Sequence, residues 1–551
     1  MLIQHVMAEA YNRLSYYGHY AKSPSYFLQS ANGAILGRLA RLGLEEQSLH
    51  SCICWVCEDR NFHTRVFLFN YWSETYGVSD VMYELSLHDR DGRQVHSWET
   101  PMRPKETKCV DVAAVVGELR IKTPFEGNLI VRTRNLASRR WVQIRANVDY
   151  YGDNFVTTVH DQGWLMNYKM RYAVSVAPVV DNELFETSLV LLNCFDYRQD
   201  SNELVSRPRI QVLGPEGERS AWKHLPPVKA CGARHIEINQ AFPSLRKMLR
   251  GQQGALRLSG VNLGRPLFFI REKKTGRCWV DHGFHDQTIP SRILSRTTRQ
   301  ITGGGPILTA LALEGENIHT RYTFFNNLGF TFDYNLRLCL FGADGEKILD
   351  IPNLHQWGPY ETKVVHLRDL LNGRRLPDRF VGHIRVSLAE DSKHRFYPMS
   401  FYVVPELFNS EANQGWALGN ALYNSGLRRK YLFEPPRTRV FSRVVLNEEY
   451  KTSVFLINAS TRFDYRQQAN PVVTLFDGSG SHSMETQLTI PPHGSVLFDV
   501  EEVFPGARQF LEKSDGVGQI GIQDKSARLS GGHLLGHRSG GVPAIDHLIG
   551  G

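Results

Sequence analysis

Three histidines recur at nearly the same place along this 551-residue sequence, 90, 89 and 89 residues after an asparagine that ends an alternating apolar run. Each has an aspartate as its neighbour, in the pairs His160-Asp161, Asp281-His282 and Asp546-His547. An imidazole beside a carboxylate suits general acid–base catalysis or metal ligation, because the carboxylate can fix the tautomer and raise the basicity. Adjacent residues on a strand point to opposite faces, so the two side chains of a pair need not touch. We expect these histidines to pack the ends of their sheets, with ligand binding as the functional alternative.

A second set of possible metal ligands lies between residues 52 and 63. Cys52, Cys54, Cys57 and His63 supply three thiols and one imidazole, the types and number that tetrahedral zinc uses. Internal alignment places the three cysteines opposite apolar or small residues in later parts of the chain. We therefore expect them to pack as small buried side chains. No cofactor is expected, and zinc or iron is the alternative.

Aromatic residues in predicted loops suggest a different kind of site. Trp72 and Tyr76 follow one alternating run, and Trp357 and Tyr360 belong to the segment HQWGPY. An aromatic ring offers a flat apolar face to a sugar while nearby polar groups recognise its hydroxyls. These four residues are candidates for glycan binding, although packing at the rim of a sheet is the more ordinary role for each.

Sequence motifs of the common enzyme classes are missing. The chain contains none of the patterns G-x-S-x-G, H-E-x-x-H and G-x-x-x-x-G-K-[ST]. A G-x-G-x-x-G pattern does occur over residues 516–521, but its glycines open a predicted strand and do not join a strand to a helix. The usual support for nucleophile-elbow, zinc-protease and nucleotide-binding chemistry is therefore absent.

An internal repeat positions all of these candidates. Four alternating runs share a threonine and an asparagine six residues apart, at Thr64/Asn70, Thr187/Asn193, Thr320/Asn326 and Thr452/Asn458. After each asparagine come a turn glycine, at Gly92, Gly217, Gly345 and Gly478, and then a strand that begins with glycine. Several landmarks that keep their order and spacing indicate one structural unit used four times.

The period of each unit is two, which predicts strands, and helical periodicity is nearly absent. The sequence therefore predicts an all-β protein, a tandem array of four Ig-like or fibronectin-like antiparallel β-sandwich repeats with a short helical segment at the N-terminus. The predicted boundaries are 1–50 for the helical segment and 51–166, 167–290, 307–424 and 440–551 for the repeats. The resemblance to bacterial Ig-like sandwich modules concerns architecture alone.

Composition narrows the partners and the compartment. A net charge of +8 over this length is too mild to indicate nucleic acid, and no run of about 18 uncharged apolar residues predicts a membrane span. Eight scattered cysteines suit a reducing compartment, so we expect a cytoplasmic protein. The leading hypothesis is a non-enzymatic binding or scaffold protein with a protein or glycan partner. The alternatives are a metal-dependent enzyme that uses the Asp-His pairs, and a structural component of a larger assembly.

Overall fold

The computed structural model describes most of the chain after residue 50. The described residues are 51–71, 81–134, 144–165, 171–196, 205–285, 288–290, 308–325, 336–355, 358, 360–371, 376–388, 396–398, 402–409, 416–418, 422–423, 438–460 and 465–550. The predicted N-terminal helical segment, residues 1–50, lies outside them. We call residues 51–165, 171–285, 308–423 and 438–550 segments 1 to 4.

Strands dominate every segment, and the strand pairs are antiparallel, which confirms the all-β prediction. The strands of segment 1 are β1 (Ser51–Glu58), β2 (His63–Phe69), β3 (Val81–Asp89), β4 (Gln94–Met102), β5 (Thr107–Asp111), β6 (Phe125–Arg134), β7 (Ala146–Gly152) and β8 (Phe155–His160). Those of segment 2 are β9 (Arg171–Val180), β10 (Phe185–Leu192), β11 (Arg209–Leu213), β12 (Lys223–His224), β13 (Ala233–Glu237), β14 (Gln253–Val261), β15 (Leu267–Glu272), β16 (Cys278–His282) and β17 (Phe284–His285). A short pair outside this scheme joins β18 (Thr288–Pro290) to β25 (Phe396–Pro398).

The second half of the chain follows the same plan. The strands of segment 3 are β19 (Leu308–Glu314), β20 (His319–Phe325), β21 (Leu336–Gly342), β22 (Lys347–Ile351), β23 (Thr362–His366), β24 (Phe380–Leu388), β26 (Tyr402–Phe408), β27 (Trp416–Leu418) and β28 (Leu422–Tyr423). Those of segment 4 are β29 (Thr438–Val445), β30 (Tyr450–Ile457), β31 (Val472–Asp477), β32 (Ser483–Gln487), β33 (Ser495–Asp499), β34 (Val517–Asp524), β35 (Ser530–His537), β36 (Ala544–His547) and β37 (Ile549–Gly550).

Short helices interrupt the strands in one place of each segment, directly after the fifth strand. They are α1 (Val112–Glu118), α2 (Ile238–Ala241), α3 (Leu245–Leu249), α4 (Leu367–Leu370), α5 (Val500–Val503) and α6 (Ala507–Leu511). Asp111 is the N-cap of α1, and its carboxylate accepts a hydrogen bond from the backbone N–H of Ala114. No helix among the described residues is long and apolar enough to cross a bilayer.

Each segment contributes two sheets, and the strand order recurs. One sheet, here called the hub sheet, has the order β5-β2-β7-β8, β13-β10-β15-β16, β23-β20-β26-β27 or β33-β30-β35-β36. The other, the rim sheet, has the order β4-β3-β6-β1, β12-β11-β14-β9-β17, β22-β21-β24-β19-β28 or β32-β31-β34-β29-β37. In segments 3 and 4, apolar side chains from both sheets form one buried cluster. The two sheets therefore pack face to face around a core.

The threonine landmark has a defined structural role. Each hydroxyl accepts a hydrogen bond from the backbone N–H of a residue seven positions earlier and donates one to the carbonyl of the same residue. That residue lies at or next to the end of the first strand of the segment. The pairs are Thr64 with Cys57, Thr187 with Val180, Thr320 with Leu313 and Thr452 with Val445. Satisfying two buried backbone groups fixes the crossing from the rim sheet to the hub sheet.

The asparagine landmark holds the chain that leads into the fifth strand. The side-chain amides of Asn70, Asn193 and Asn458 donate to the carbonyls of Met102, Val228 and Ile490. The distances are 3.0, 2.8 and 3.1 Å. The fourth copy, Asn326, lies outside the described residues.

The turn glycines explain how neighbouring segments meet. Gly92, Gly345 and Gly480 have φ of 80°, 84° and 70°, and a Cβ atom there would lie 2.0, 2.1 and 2.5 Å from a carbonyl oxygen of the adjoining segment. Glycine alone permits both the conformation and the close approach. In segment 4 the residue in this position is Gly480, two residues after the Gly478 that the sequence spacing suggested.

One backbone hydrogen bond of 3.0 Å recurs at each joint between segments, and the residues involved are equivalent each time. The N–H at or next to the start of the fifth strand donates to a carbonyl in the preceding segment's hairpin turn. The bonds run from Ala233 to Arg90, from Thr362 to Pro215, from Ser495 to Ala343, and from Thr107 to Gly478. We number the joints 1–2, 2–3, 3–4 and 4–1 in that order. The last bond joins segment 4 back to segment 1.

Sheet packing follows the same cyclic order. The rim-sheet strands β6, β14, β24 and β34 contact the hub-sheet strands β13, β23, β33 and β5 of the next segment. One buried apolar cluster includes residues of segments 1, 2 and 4, and another includes residues of segments 2, 3 and 4. The cores are therefore continuous across the joints.

Candidate functional site

The four hub sheets turn their last strands toward one another. The strand β8 contacts β16, β16 contacts β27, β27 contacts β36, and β36 contacts β8. We call β8, β16, β27 and β36 the hub strands. Three of them end in the histidines that the repeat predicted, so His160, His282 and His547 come together where the hub strands meet.

Ring distances establish that these imidazoles are in contact. The ring centroid of His160 lies 4.7 Å from that of His282 and 4.2 Å from that of His547. His160 is fully buried and His282 is 6% exposed, whereas the side chain of His547 is 31% exposed. One edge of the cluster therefore faces solvent.

A single carboxylate bridges two of the histidines. Asp546 Oδ1 lies 3.3 Å from His160 Nδ1 and 3.0 Å from His547 Nδ1. Asp546 reaches the hub because β36 pairs with β35, where His533 is its partner in register. The carboxylate of segment 4 thus contacts an imidazole of segment 1, 386 residues away.

Arg265 of segment 2 is the cation of the cluster. Its Nη1 donates to His160 Nε2 and also to His282 Nε2, which is 3.3 Å away. The backbone N–H of Arg265 donates to the carbonyl of Gln162 at 2.8 Å, which fixes the loop between β14 and β15 against segment 1.

These contacts determine the tautomers. Arginine only donates, so Nε2 of His160 and of His282 must each accept. Their protons then reside on Nδ1, from which His160 donates to Asp546 and His282 donates to the carbonyl of Gly283 at 3.0 Å. Both imidazoles are neutral in this arrangement.

Burial keeps the imidazoles of His160 and His282 neutral. It lowers the pKa of His160 well below its usual range, and the neighbouring His547 adds to the shift while Asp546 opposes it. Burial, and then the charge of Arg265, likewise lowers the pKa of His282 well below its ordinary value. For Asp546, burial alone would raise the pKa, but His160 and His547 lower it well below its usual range. The cluster therefore holds an ionised carboxylate beside the neutral imidazoles of His160 and His282.

The two other aspartates, Asp281 and Asp161, accept hydrogen bonds from different backbone N–H groups. Asp281 Oδ1 accepts a hydrogen bond of 2.6 Å from the backbone N–H of His282, while its buried Oδ2 has no hydrogen-bond partner among the described residues. Burial, and then the charge of Asp546, raises the pKa of Asp281 well above its ordinary value. Asp161 accepts from the backbone N–H of Ala146 at 3.2 Å. It thereby anchors the start of β7, and its other oxygen accepts from Arg145 Nη1 at 3.4 Å.

The donor types fit a transition-metal site better than an acid–base catalyst. Within the described part of the chain, His160, Asp546 and His547 form the one group of three or more metal-ligating side chains whose donor atoms all lie within 4.8 Å. Two neutral imidazoles and a carboxylate are a common ligand set for zinc and iron. A general acid or base must reach a substrate, and only His547 of these three is exposed enough to do so.

The cysteine set behaves differently. Cys52 and Cys54 are buried in the core of segment 1, and His63 Nδ1 lies 2.8 Å from Glu58 Oε1. Burial raises the pKa of the Cys52 thiol well above its ordinary value. Cys52, Cys54, Cys57 and His63 are not among the ligand groups found within the described residues.

Of the aromatic candidates, Trp72, Tyr76 and Trp357 lie outside the described residues. Tyr360 stands at the joint between segments 2 and 3, where the guanidinium carbons of Arg257 and Arg219 lie 4.8 and 5.0 Å from its ring centroid. The ring of Tyr360 therefore already has cationic partners from the neighbouring segment.

Sequence reasoning missed two groups that matter. Arg265 lies in a loop between strands and carries no spacing signal. The fully buried pair of Arg443 and Asp149, whose Nη2 and Oδ1 are 2.6 Å apart, joins segment 4 to segment 1. A charged residue at an otherwise apolar position of a strand was the one available signal for Arg443.

No protein-family model matches this sequence, and a search of curated proteins finds no significant match.

Proposed function

We propose that this chain is a non-enzymatic binding or scaffold protein in which four Ig-like β-sandwich repeats close into a ring. One observation carries the proposal: the bond from Thr107 to Gly478 repeats between the last and first segments the contact that joins consecutive ones. A closed ring makes a rigid binding surface, because each repeat packs against a neighbouring repeat on both sides.

The hub supports a structural role for most of the repeated histidines. His160 and His282 use both ring nitrogens in contacts with Arg265, Asp546 and a backbone carbonyl. Side chains that are buried and hydrogen-bonded to one another stabilise a junction, which favours a scaffold over turnover.

The edge of the first rim sheet supports a protein partner. The strand β4 lies at the end of its sheet, and within the described residues it pairs on one side only, with β3. Its side chains are largely exposed, including Val95 at 41%. An open edge can accept a strand from another protein. All eight cysteines are free, which supports a reducing compartment such as the cytoplasm.

The test is binding by the full-length chain. A glycan array and affinity capture with cross-linking should retain a defined partner, and purified complexes should reproduce the interaction. Replacing Val95 and Ser97 by lysine should abolish the binding of a partner that engages β4. The control replaces two exposed residues of β32, Ser483 and Glu485, by lysine, and it should leave that binding unchanged. Failure of every array and capture to yield a reproducible partner would contradict the proposal.

The second candidate is a metal-dependent enzyme, favoured by the convergence of His160, Asp546 and His547 beside solvent. It predicts a metal-dependent reaction that His547→Asn abolishes. A component of a larger assembly, the third possibility, predicts large oligomers in size-exclusion chromatography with light scattering, where the scaffold proposal predicts a monomer without its partner.

A further inference from the structure

We propose that the hub binds one divalent transition-metal ion of the zinc class through His160 Nδ1, Asp546 and His547 Nδ1, linking segment 1 to segment 4. This inference rests on the proposed ring, because the ligands come from the first and last segments.

The ligand spacing supports a metal. Zinc–nitrogen and zinc–oxygen bonds of about 2.0–2.2 Å in a tetrahedron place neighbouring donor atoms roughly 3.3–3.5 Å apart. Asp546 Oδ1 is 3.3 Å from His160 Nδ1 and 3.0 Å from His547 Nδ1. Asp546 therefore already lies at about the right distance from both imidazoles, and one donor atom of each of the three residues lies within 4.8 Å of the others.

The surroundings also suit an ion. Asp546 and His160 are buried, so their bonds to a metal would be shielded from water. His547 is partly exposed, which leaves a route for the ion and a position for a water ligand. Asp281 Oδ2, buried with no hydrogen-bond partner among the described residues, is an independent sign that the hub has an unsatisfied polar atom.

Arg265 opposes the metal in a defined way. A metal on His160 Nδ1 requires the proton of that imidazole to be on Nε2, where it can no longer accept from Arg265. Metal binding thus exchanges the bond from Arg265 to His160 for a metal–nitrogen bond, while Arg265 keeps His282 Nε2 as its acceptor. The guanidinium charge also repels a cation nearby. Removing Arg265 must therefore tighten metal binding.

The position of this site indicates that the ion would stabilise the joint between segments 4 and 1. Segments 1 and 2, 2 and 3, and 3 and 4 are consecutive in the chain, whereas segments 4 and 1 are not, and among the described residues they meet through contacts of a turn and of their sheets. An ion with ligands from both would stabilise the ring at the joint that no linker spans, because ligand binding to the folded state alone raises stability.

The experiment titrates the full-length, chelator-treated protein with Co²⁺, followed by its visible absorption, and with Zn²⁺, followed by elemental analysis of the dialysed protein. The wild type should bind one equivalent. His547→Asn should weaken binding at least about tenfold. The matched control is His482→Asn, since His482 forms an equivalent but exposed pair with Asp477, with Nδ1 and Oδ2 3.0 Å apart. It should bind as the wild type does.

Arg265→Met gives a second test with the opposite sign, since its affinity for Co²⁺ should exceed that of the wild type. Absence of binding by the wild type, or equal binding by His547→Asn and the wild type, would overturn the metal site. An affinity of Arg265→Met no tighter than that of the wild type would overturn the exchange at His160.

The ring is tested separately, in a chelator, by the energetic coupling between Asp149 and Arg443. Coupling without metal binding would overturn this inference and leave the proposed ring intact. Loss of the coupling would overturn both.

Discussion

Joints 3–4 and 4–1 share the same turn contact, but joint 3–4 buries neutral aromatic rings whereas joint 4–1 buries an ion pair. At joint 3–4, Phe341 stacks on both His383 and His493, with ring centroids 5.2 and 5.3 Å apart. At joint 4–1, the guanidinium of Arg443 binds the carboxylate of Asp149, and both side chains are fully buried. The backbone contact thus recurs at each joint, whereas the side chains packed between the sheets differ from one joint to the next.

This difference separates two sources of stability. A buried ion pair depends on the presence of both partners, because either charge alone is left without compensation. A buried neutral imidazole depends on staying unprotonated, because its charged form is poorly solvated there. The two joints should therefore fail under different conditions.

The largest effect is expected at joint 4–1. Replacing Arg443 by methionine removes the hydrogen-bonded partner of the buried Asp149 carboxylate and leaves the charge of Arg65 nearby, so the free energy of unfolding should fall by about 3–5 kcal/mol. Urea unfolding at pH 7 measures this change in the free energy of unfolding. The control is Lys451→Met, which removes a partly exposed pair with Asp499 and should change stability by less than about 1 kcal/mol. Equal effects of the two substitutions would show that the Arg443 pair is not buried as described.

Acid should weaken joint 3–4. Burial, together with the charges of His493 and Arg385, lowers the pKa of His383 to about 3, while an unfolded histidine titrates near 6.5. The unfolded chain therefore binds a proton that the folded joint excludes, and stability falls as the pH drops from about 6.5 toward 3. From pH 7 to pH 4.5, this one group should account for about 2–3 kcal/mol.

Urea unfolding of His383→Leu at these two pH values should show a smaller loss than the wild type by about that amount. The same substitution at the exposed His224 serves as the control. An identical pH dependence in the wild type and His383→Leu would contradict the assignment of the acid sensitivity to this joint.

Close approach at the turns should also be measurable. Gly345→Ala places a Cβ atom 2.1 Å from the carbonyl oxygen of Pro492, whereas Gly540→Ala meets nothing within 4 Å, and both glycines have positive φ. The difference in unfolding free energy between these variants isolates the clash from the backbone strain. We expect Gly345→Ala to be less stable by about 1–3 kcal/mol. Equal stabilities would mean that the turn does not dock on segment 4.

The smallest effect is common to all four segments. A valine in place of Thr64, Thr187, Thr320 or Thr452 removes the hydroxyl that satisfies two backbone groups, and each substitution should destabilise by about 1–2 kcal/mol. Thermal or urea unfolding of the four single variants provides the measurement. A large cost in one segment with none in the others would show that the threonines do not share one role.

The sequence was enough to predict the β class and most of the regular landmarks, for physical reasons, although the turn glycine of segment 4 is Gly480 and not Gly478. Alternation of side chains follows from strand geometry, and Thr187 or Asn193 recurs because its backbone partners lie within a few dozen residues of it. Such contacts leave a spacing signal within one repeat. Sequence spacing also located His160, His282 and His547, though not their meeting.

Contacts between segments leave no such signal. His160 and Asp546 are 386 residues apart, and Asp149 and Arg443 are 294 apart. Their pairing depends on how whole sheets pack, which periodicity does not specify. Arg265 was missed for the same reason, since it acts on residues of another segment from a loop without a recurring pattern.

The closed ring is tested most directly by a double-mutant cycle between Asp149 in segment 1 and Arg443 in segment 4. Unfolding free energies of the wild type, Asp149→Leu, Arg443→Met and the double variant give the coupling between the two side chains. The ring predicts a coupling above about 1.5 kcal/mol, with the double variant more stable than the sum of the single losses implies. Additive losses, within about 0.5 kcal/mol, would show that the first and last segments do not meet there.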